Sequence, residues 1–108
     1  MSRAKGFAAE DTAVAWLERH GFEIIERNWT QKTGEIDVIA QKNEVIHFIE
    51  VKSGRSFDPI YAFNRAKLGR VIKTAELWLQ KRRVTLPFCI DALSIRADTI
   101  ELFENVTL

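Results

Sequence analysis

Residues 44–53, Glu-Val-Ile-His-Phe-Ile-Glu-Val-Lys-Ser, constrain the fold more than any other stretch of the chain. In an extended strand successive side chains leave on opposite faces. Ile46 and Phe48 then share one face and Val45, Ile49 and Val51 the other, so both faces are largely apolar. Such a strand needs cover on both sides and belongs near the middle of a sheet, with helices above and below it.

The flanking sequence supplies those helices. Phe7, Ala13, Val14 and Leu17 recur at helical spacing within a helix expected over residues 3–20, with Gly21 as its C-terminal stop. Leu68, Val71, Ile72, Ala75 and Leu79 form the inner stripe of a second helix, expected from about Tyr61 to Arg83. Strands are expected at Phe22–Trp29, Glu35–Gln41, Glu44–Ser53, Phe88–Ile95 and Ile100–Asn105, with a polar turn at residues 30–34 and a loop at Gly54–Pro59. The order αβββαββ makes the chain an α/β protein, a mixed central β-sheet flanked by helices. At 108 residues and 46% hydrophobic content, one domain with one layered core is expected over residues 1–108. The longest apolar run, Ala13–Leu17, is far too short to cross a bilayer. The opening residues lack the basic and apolar regions of a secretory signal. Cys89 is the only cysteine, so it has no internal disulfide and no Cys partner for a zinc site. A reducing cytoplasm is the expected location. Trp16, Trp29 and Trp78 read as core packing, Cys89 as an inert strand residue, and His20 and His47 show no ligand spacing.

The net charge of +1 conceals a split. Between Asn64 and Arg83 stand Arg65, Lys67, Arg70, Lys73, Lys81, Arg82 and Arg83 against Glu76 alone, a window of +6 that leaves −5 on the other 88 residues. A basic helix face of this kind is suited to phosphate contacts.

Several acids fall where apolar residues belong. On the first helix Glu10 lies about 20° from Leu17 and about 40° from Val14, in the middle of the buried stripe. A carboxylate there must be paired, protonated or metal-bound. In the hairpin, Glu35, Asp37 and Ile39 share one face, and Ile46, Phe48, Glu50 and Lys52 share a face of the next strand. A turn at Lys42-Asn43 pairs Glu35 with Glu50; a turn at Asn43-Glu44 pairs Asp37 with Glu50. In either register Asp37 and Glu50 are direct or diagonal neighbours, roughly 5–8 Å apart. Close like charges raise each other's pKa unless a cation intervenes. Lys52 supplies one positive charge, and a divalent ion such as Mg²⁺ suits a few carboxylates with positions left for water and phosphate oxygens.

These residues resemble a known pattern. Gly34-Glu35-Ile36-Asp37-Val38-Ile39-Ala40 followed by Ile49-Glu50-Val51-Lys52 is similar to the PD-(D/E)xK nuclease superfamily. It is closer still to the YraN-like bacterial family, distantly similar to archaeal Holliday-junction resolvases. Gly6-Phe7-Ala8-Ala9-Glu10, Gly21-Phe22, Arg27-Asn28, Lys67, Ala75, Leu79 and Asp91 extend the likeness through most of the chain. Three positions depart from the family pattern. Ala9 replaces Gly, Ser53-Gly54-Arg55 replaces a tighter Lys-x-Arg, and Cys89-Ile90-Asp91 replaces Arg-Phe-Asp.

The resemblance implies a restriction-endonuclease-like fold with Asp37, Glu50 and the Val51 carbonyl as metal ligands. Lys52 would be the catalytic lysine, Glu10 would complete the metal's surroundings, and Glu35 would be auxiliary. The expected activity is divalent-metal-dependent endonuclease hydrolysis of phosphodiesters, with Mg²⁺ or Mn²⁺ as cofactor. The expected partner is DNA, branched or otherwise structured, contacted by Arg55, Arg65, Lys67, Arg70 and Lys73. The alternative is a non-catalytic nucleic-acid-binding module that retains the nuclease fold, and a protein-interaction subunit is a third reading. So small a domain grips little duplex alone, so a homodimer or another partner is expected, with no feature that fixes the interface; no membrane partner is expected.

Overall fold

A computed structural model describes residues 3–54 and 65–107, with side chains from residue 8 onward. The elements are α1 (Arg3–Arg19), β1 (Glu23–Gln31), β2 (Gly34–Lys42), β3 (Val45–Ser53), α2 (Arg65–Arg82), β4 (Phe88–Arg96) and β5 (Thr99–Phe103). They give the expected order αβββαββ in one mixed sheet with strands arranged β1-β2-β3-β4-β5. β1, β2 and β3 form an antiparallel meander. β3 and β4 run parallel, which a tight turn cannot achieve, and α2 lies in the crossover between them. β3 is thus the central strand, as its two apolar faces require. The architecture is compatible with a nuclease-like fold.

Each face of the sheet has its own core. Ala13 and Leu17 of α1 pack with Phe22 on Val38, Ala40, Ile49 and Leu93. Val71, Ala75 and Trp78 of α2 pack on Ile36, Ile39, Ile46, Phe48 and Ile90. Trp78 also needs a partner for its indole N–H, and Nε1 donates to Glu26 Oε1 at 3.1 Å. Trp16 and Trp29 are half-buried against these two cores.

Both described helices stop by the same device. Gly21 takes a left-handed conformation (φ 89°) after α1; the Phe22 N–H bonds back to the Leu17 carbonyl at 3.0 Å and Gly21 N–H to Glu18 at 3.2 Å. This is the glycine stop expected from sequence. At the end of α2 Arg83 does the same at φ 55°, with Val84 N–H to the Leu79 carbonyl at 2.9 Å.

Most boundaries shift by one or two residues, and three details have a physical reason. β1 runs on to Gln31 instead of stopping at Trp29, because Thr30 and Gln31 pair with Glu35 and Gly34; a ladder needs backbone groups, not apolar side chains. The turn that follows is pinned to α2 by a 2.6 Å contact between the Thr33 and Thr74 hydroxyls. Of the two hairpin registers left open, the structure adopts the one that turns at Asn43-Glu44, with Lys42 opposite Val45 and both turn residues at positive φ. Asn stands at the first central position, where such a turn favours it. β5 ends at Phe103 because Asn105 turns left-handed (φ 56°). The expected loop beyond Gly54, the residues from Tyr61 to Asn64, Arg55 and the side chain of Phe7 lie outside the described residues. Among the described residues no helix is long and apolar enough to cross a membrane.

Candidate functional site

The site begins where β2 and β3 part. Their paired register ends at Val38 opposite Ile49, while β3 continues beside β4 as far as Ser53 opposite Ile95. Past the fork Val51 presents its N–H to a side chain instead of a ladder partner, donating to Asp37 Oδ2 at 2.8 Å. Asp37 is therefore fixed by the backbone of the strand that carries Glu50 and Lys52.

Glu50, only 13% exposed at its side chain, is held by two cations: Lys67 Nζ at 2.9 Å and Lys52 Nζ at 3.5 Å from Oε2. Lys67 comes from the first turn of α2, so the crossover helix delivers a charge to the fork. Burial works against the Lys67 ammonium, but the hydrogen bond and charge of Glu50 outweigh it, with Lys52 and Asp37 contributing, and its pKa is raised. Asp37 is pushed up to about 7, first by burial and then by the charge of Glu50; the Val51 N–H opposes this, and Glu10 and Glu35 reinforce it.

Glu10 does occupy the covered side of α1, with a side chain 12% exposed. Burial raises its pKa, while a hydrogen bond with Asn28 and the charge of Arg27 pull it down. Arg27 Nη2 is 3.8 Å from Glu10 Oε1 but 2.6 Å from Asp11, and Glu10 Oε1 is buried with no hydrogen-bond partner. Glu35 is exposed; its Oε2 accepts from the Thr30 hydroxyl at 3.4 Å, so it reaches the fork only through its charge.

Oxygen donors, an orphaned buried carboxylate oxygen at Glu10 and an acid raised by its neighbours fit a hard divalent cation. Convergence is loose, however. Among the described residues, the group of three potential ligand atoms lying within 4.8 Å of one another is His47, Cys89 and Asp91, not the carboxylates. A Mg²⁺-type site using two carboxylates and several waters does not need tighter convergence.

Residues 9–102 match the family model described as "Uncharacterised protein family UPF0102". The chain belongs to UPF0102. A UPF0102 protein of Wolinella succinogenes is 50% identical over 108 residues, covering all of both chains. One from Helicobacter pylori strain HPAG1 is 51% identical over 105 residues, 97% of this chain and 92% of that one. One from Sulfurovum sp. is 50% identical over 105 residues, 95% of this chain and 93% of that one. The UPF0102 match spans the whole fork, from Glu10 to Lys67.

Elsewhere in this UPF0102 chain, Arg65, Arg70 and Lys73 are exposed along α2, whereas Lys67 turns inward to Glu50. The structure also brings together His47, which shows no ligand spacing in the sequence, Cys89, expected to be an inert strand residue, and Asp91. His47 Nδ1 lies 2.6 Å from Asp91 Oδ2 and 3.2 Å from Cys89 Sγ. Cys89 Sγ also donates to Asp91 Oδ1 at 3.2 Å, and the Asn105 N–H reaches that oxygen at 2.9 Å. Burial, then the charge and hydrogen bond of Asp91, push the Cys89 thiol up to about 12. One signal was available: Asp91 interrupts the apolar run of β4 much as Glu10 interrupts that of α1.

Proposed function

We propose that this chain is a divalent-metal-dependent endonuclease-like protein of the PD-(D/E)xK type, acting on DNA by phosphodiester hydrolysis. The observation that carries this reading is the strand fork. Asp37, bound to the backbone N–H of Val51, feels the charge of Glu50, whose own carboxylate is held by two lysines from different elements.

Asp37 and Glu50 would hold Mg²⁺ or Mn²⁺, with the Val51 carbonyl as a further donor and Glu10 oriented toward the same charge. When bound, the ion supplies Lewis-acid stabilisation of the phosphate and a more acidic water. The protein does the positioning. Val51 N–H aims one oxygen of Asp37, leaving the other for a ligand. Lys52 Nζ is placed to orient a water or to hold charge against a phosphate oxygen, and Lys67 holds the Glu50 carboxylate in place at 2.9 Å. Exposed Arg65, Arg70 and Lys73 offer contacts to the DNA backbone, which confer affinity without reading sequence.

The test is a Mn²⁺ titration followed by loss of the free-ion paramagnetic resonance signal. It compares wild type with Asp37→Asn and Glu50→Gln, alongside cleavage assays on branched, flapped and single-stranded DNA. Binding and Mg²⁺-dependent cleavage in wild type, both lost in the two variants, are expected. A folded wild type that binds no Mn²⁺, or variants that bind it unchanged, defeats the metal reading.

A second reading has its own observation. Glu50 already has two lysine partners, so the fork can exist without an ion. A non-catalytic nucleic-acid-binding module would show salt-dependent DNA binding, indifferent to chelator and without cleavage.

A further inference from the structure

His47 and Cys89 are directly paired across the parallel strands β3 and β4, and Asp91 follows Cys89 on the same face of β4. Their face is the one covered by α1, where the edge of Phe22 meets the His47 ring. Glu50, three residues along β3, projects to the opposite face toward α2. The two groups of side chains are therefore separated by the sheet itself.

A nucleophilic relay does not fit this group. In a relay the thiol and the carboxylate engage different nitrogens of the imidazole. Here both approach Nδ1, so the ring cannot pass a proton between them. Three ligand atoms of different kinds converging on one point describe a coordination corner better than a relay.

We propose that His47 Nδ1, Cys89 Sγ and Asp91 Oδ2 form a second metal site, for a borderline-soft dication of the Zn²⁺ class. Four observations support it. The three ligand atoms lie within 4.8 Å of one another. With tetrahedral bonds of about 2.0–2.3 Å, ligand atoms sit roughly 3.3–3.7 Å apart, so the His47–Asp91 and His47–Cys89 spacings of 2.6 and 3.2 Å need to open by about 1 Å at most. Asp91 is 0% exposed and His47 5%, and a dication with one thiolate and one carboxylate leaves the buried group electrically neutral.

Third, the ligands are oriented from behind: the Asn105 N–H holds Oδ1 of Asp91 at 2.9 Å, directing Oδ2 to His47. Such outer contacts set ligand geometry in metal sites. Fourth, His47 and Cys89 line a concavity of about 420 Å³ that Glu104 and Asn105 also border. It gives the ion a route in and leaves the fourth position to a water. Thiolate and imidazole select this ion class over Mg²⁺, so the site is chemically distinct from the carboxylate fork.

The probe is Co²⁺ added alone to the metal-free protein, because a cobalt–thiolate bond gives a near-ultraviolet charge-transfer band that oxygen ligands do not. A one-to-one titration of that band is expected in wild type, followed by its displacement by one equivalent of Zn²⁺. The band should be lost in Cys89→Ser and retained in Asp37→Asn. Cys89 is half-buried, so Cys89→Ser should keep the far-ultraviolet spectrum of wild type; His47→Gln serves as a second variant with the same expected loss. Absence of the band in folded wild type overturns the proposal, as does its survival in Cys89→Ser. Mn²⁺ binding at the fork, unchanged in Cys89→Ser, keeps failure of this site separate from failure of the nuclease reading.

Discussion

The carboxylate fork and the His47–Cys89–Asp91 group lie on opposite faces of β3 and solve the burial of charge in opposite ways. At the fork the acids are half-buried and loosely spaced, and two flexible lysines offset part of their charge. In the second group one carboxylate is wholly buried and held rigidly by three donors from three parts of the chain. In the second group Asp91 is wholly enclosed, while His47 and Cys89 border the concavity. A single strand can therefore present Glu50 and His47 to different surroundings, because residues an odd number of positions apart leave on opposite faces.

The strongest way to break this comparison is Asp91→Ala. It leaves the His47 ring, the Cys89 thiol and the Asn105 N–H without their shared acceptor, and a loss of about 3–5 kcal/mol is expected in urea unfolding. A loss under about 1 kcal/mol would mean that the group is not the rigid body described here.

Next is the fork's pH dependence. Asp37 ordinarily titrates near 3.8 but is raised to about 7 in the folded protein. The folded state therefore binds the extra proton between those values, so the contribution of Asp37 to stability is fully present below about pH 4 and is lost as pH rises through 7. Asp37→Asn should flatten that fall and stabilise the metal-free protein above pH 7 by an amount on the order of 3 kcal/mol. Urea midpoints at several pH values measure it; a wild-type profile flat from pH 4 to 8 would contradict it.

Lys67→Ala should cost about 1 kcal/mol, since the pair it removes is only partly buried. It should also move the Asp37 transition to higher pH, because one cation near the acid is gone. An unmoved transition would show that Lys67 serves Glu50 alone. The smallest effect belongs to neither face. Arg83→Gly relieves a left-handed residue at the end of α2 and should add about 0.5–1 kcal/mol, read as a rise in thermal midpoint with metal binding unchanged.

Much of this arrangement was legible in the sequence, and the reasons are physical. β3 declared itself central because both of its faces are apolar, and Gly21 declared a helix end because it needs positive φ. Glu10, Asp37 and Glu50 stood out as charges on faces that should be apolar. Which hairpin register was used was not legible from hydrophobicity, since both alternatives put the same residues on the same faces; the turn decided it. That Lys67 is a partner of Glu50 rather than a free surface charge depended on where α2 crosses the sheet. His47, Cys89 and Asp91 stayed hidden because 44 residues separate the first from the last. A parallel pairing, unlike a hairpin, leaves no local mark of its register.

That parallel pairing also sets an order of events. The β1–β2–β3 meander needs only short turns and can form early. Joining β4 to β3 closes a long loop, which is the slow kind of step in folding. The Glu50–Lys67 pair depends on docking of the crossover helix, and the His47–Cys89 contact depends on the strand that follows it. Asp37, Glu50 and Val51 all stand on the β2–β3 hairpin and come together with the meander, whereas His47 and Cys89 meet only when β4 docks, so the two groups are assembled at different stages.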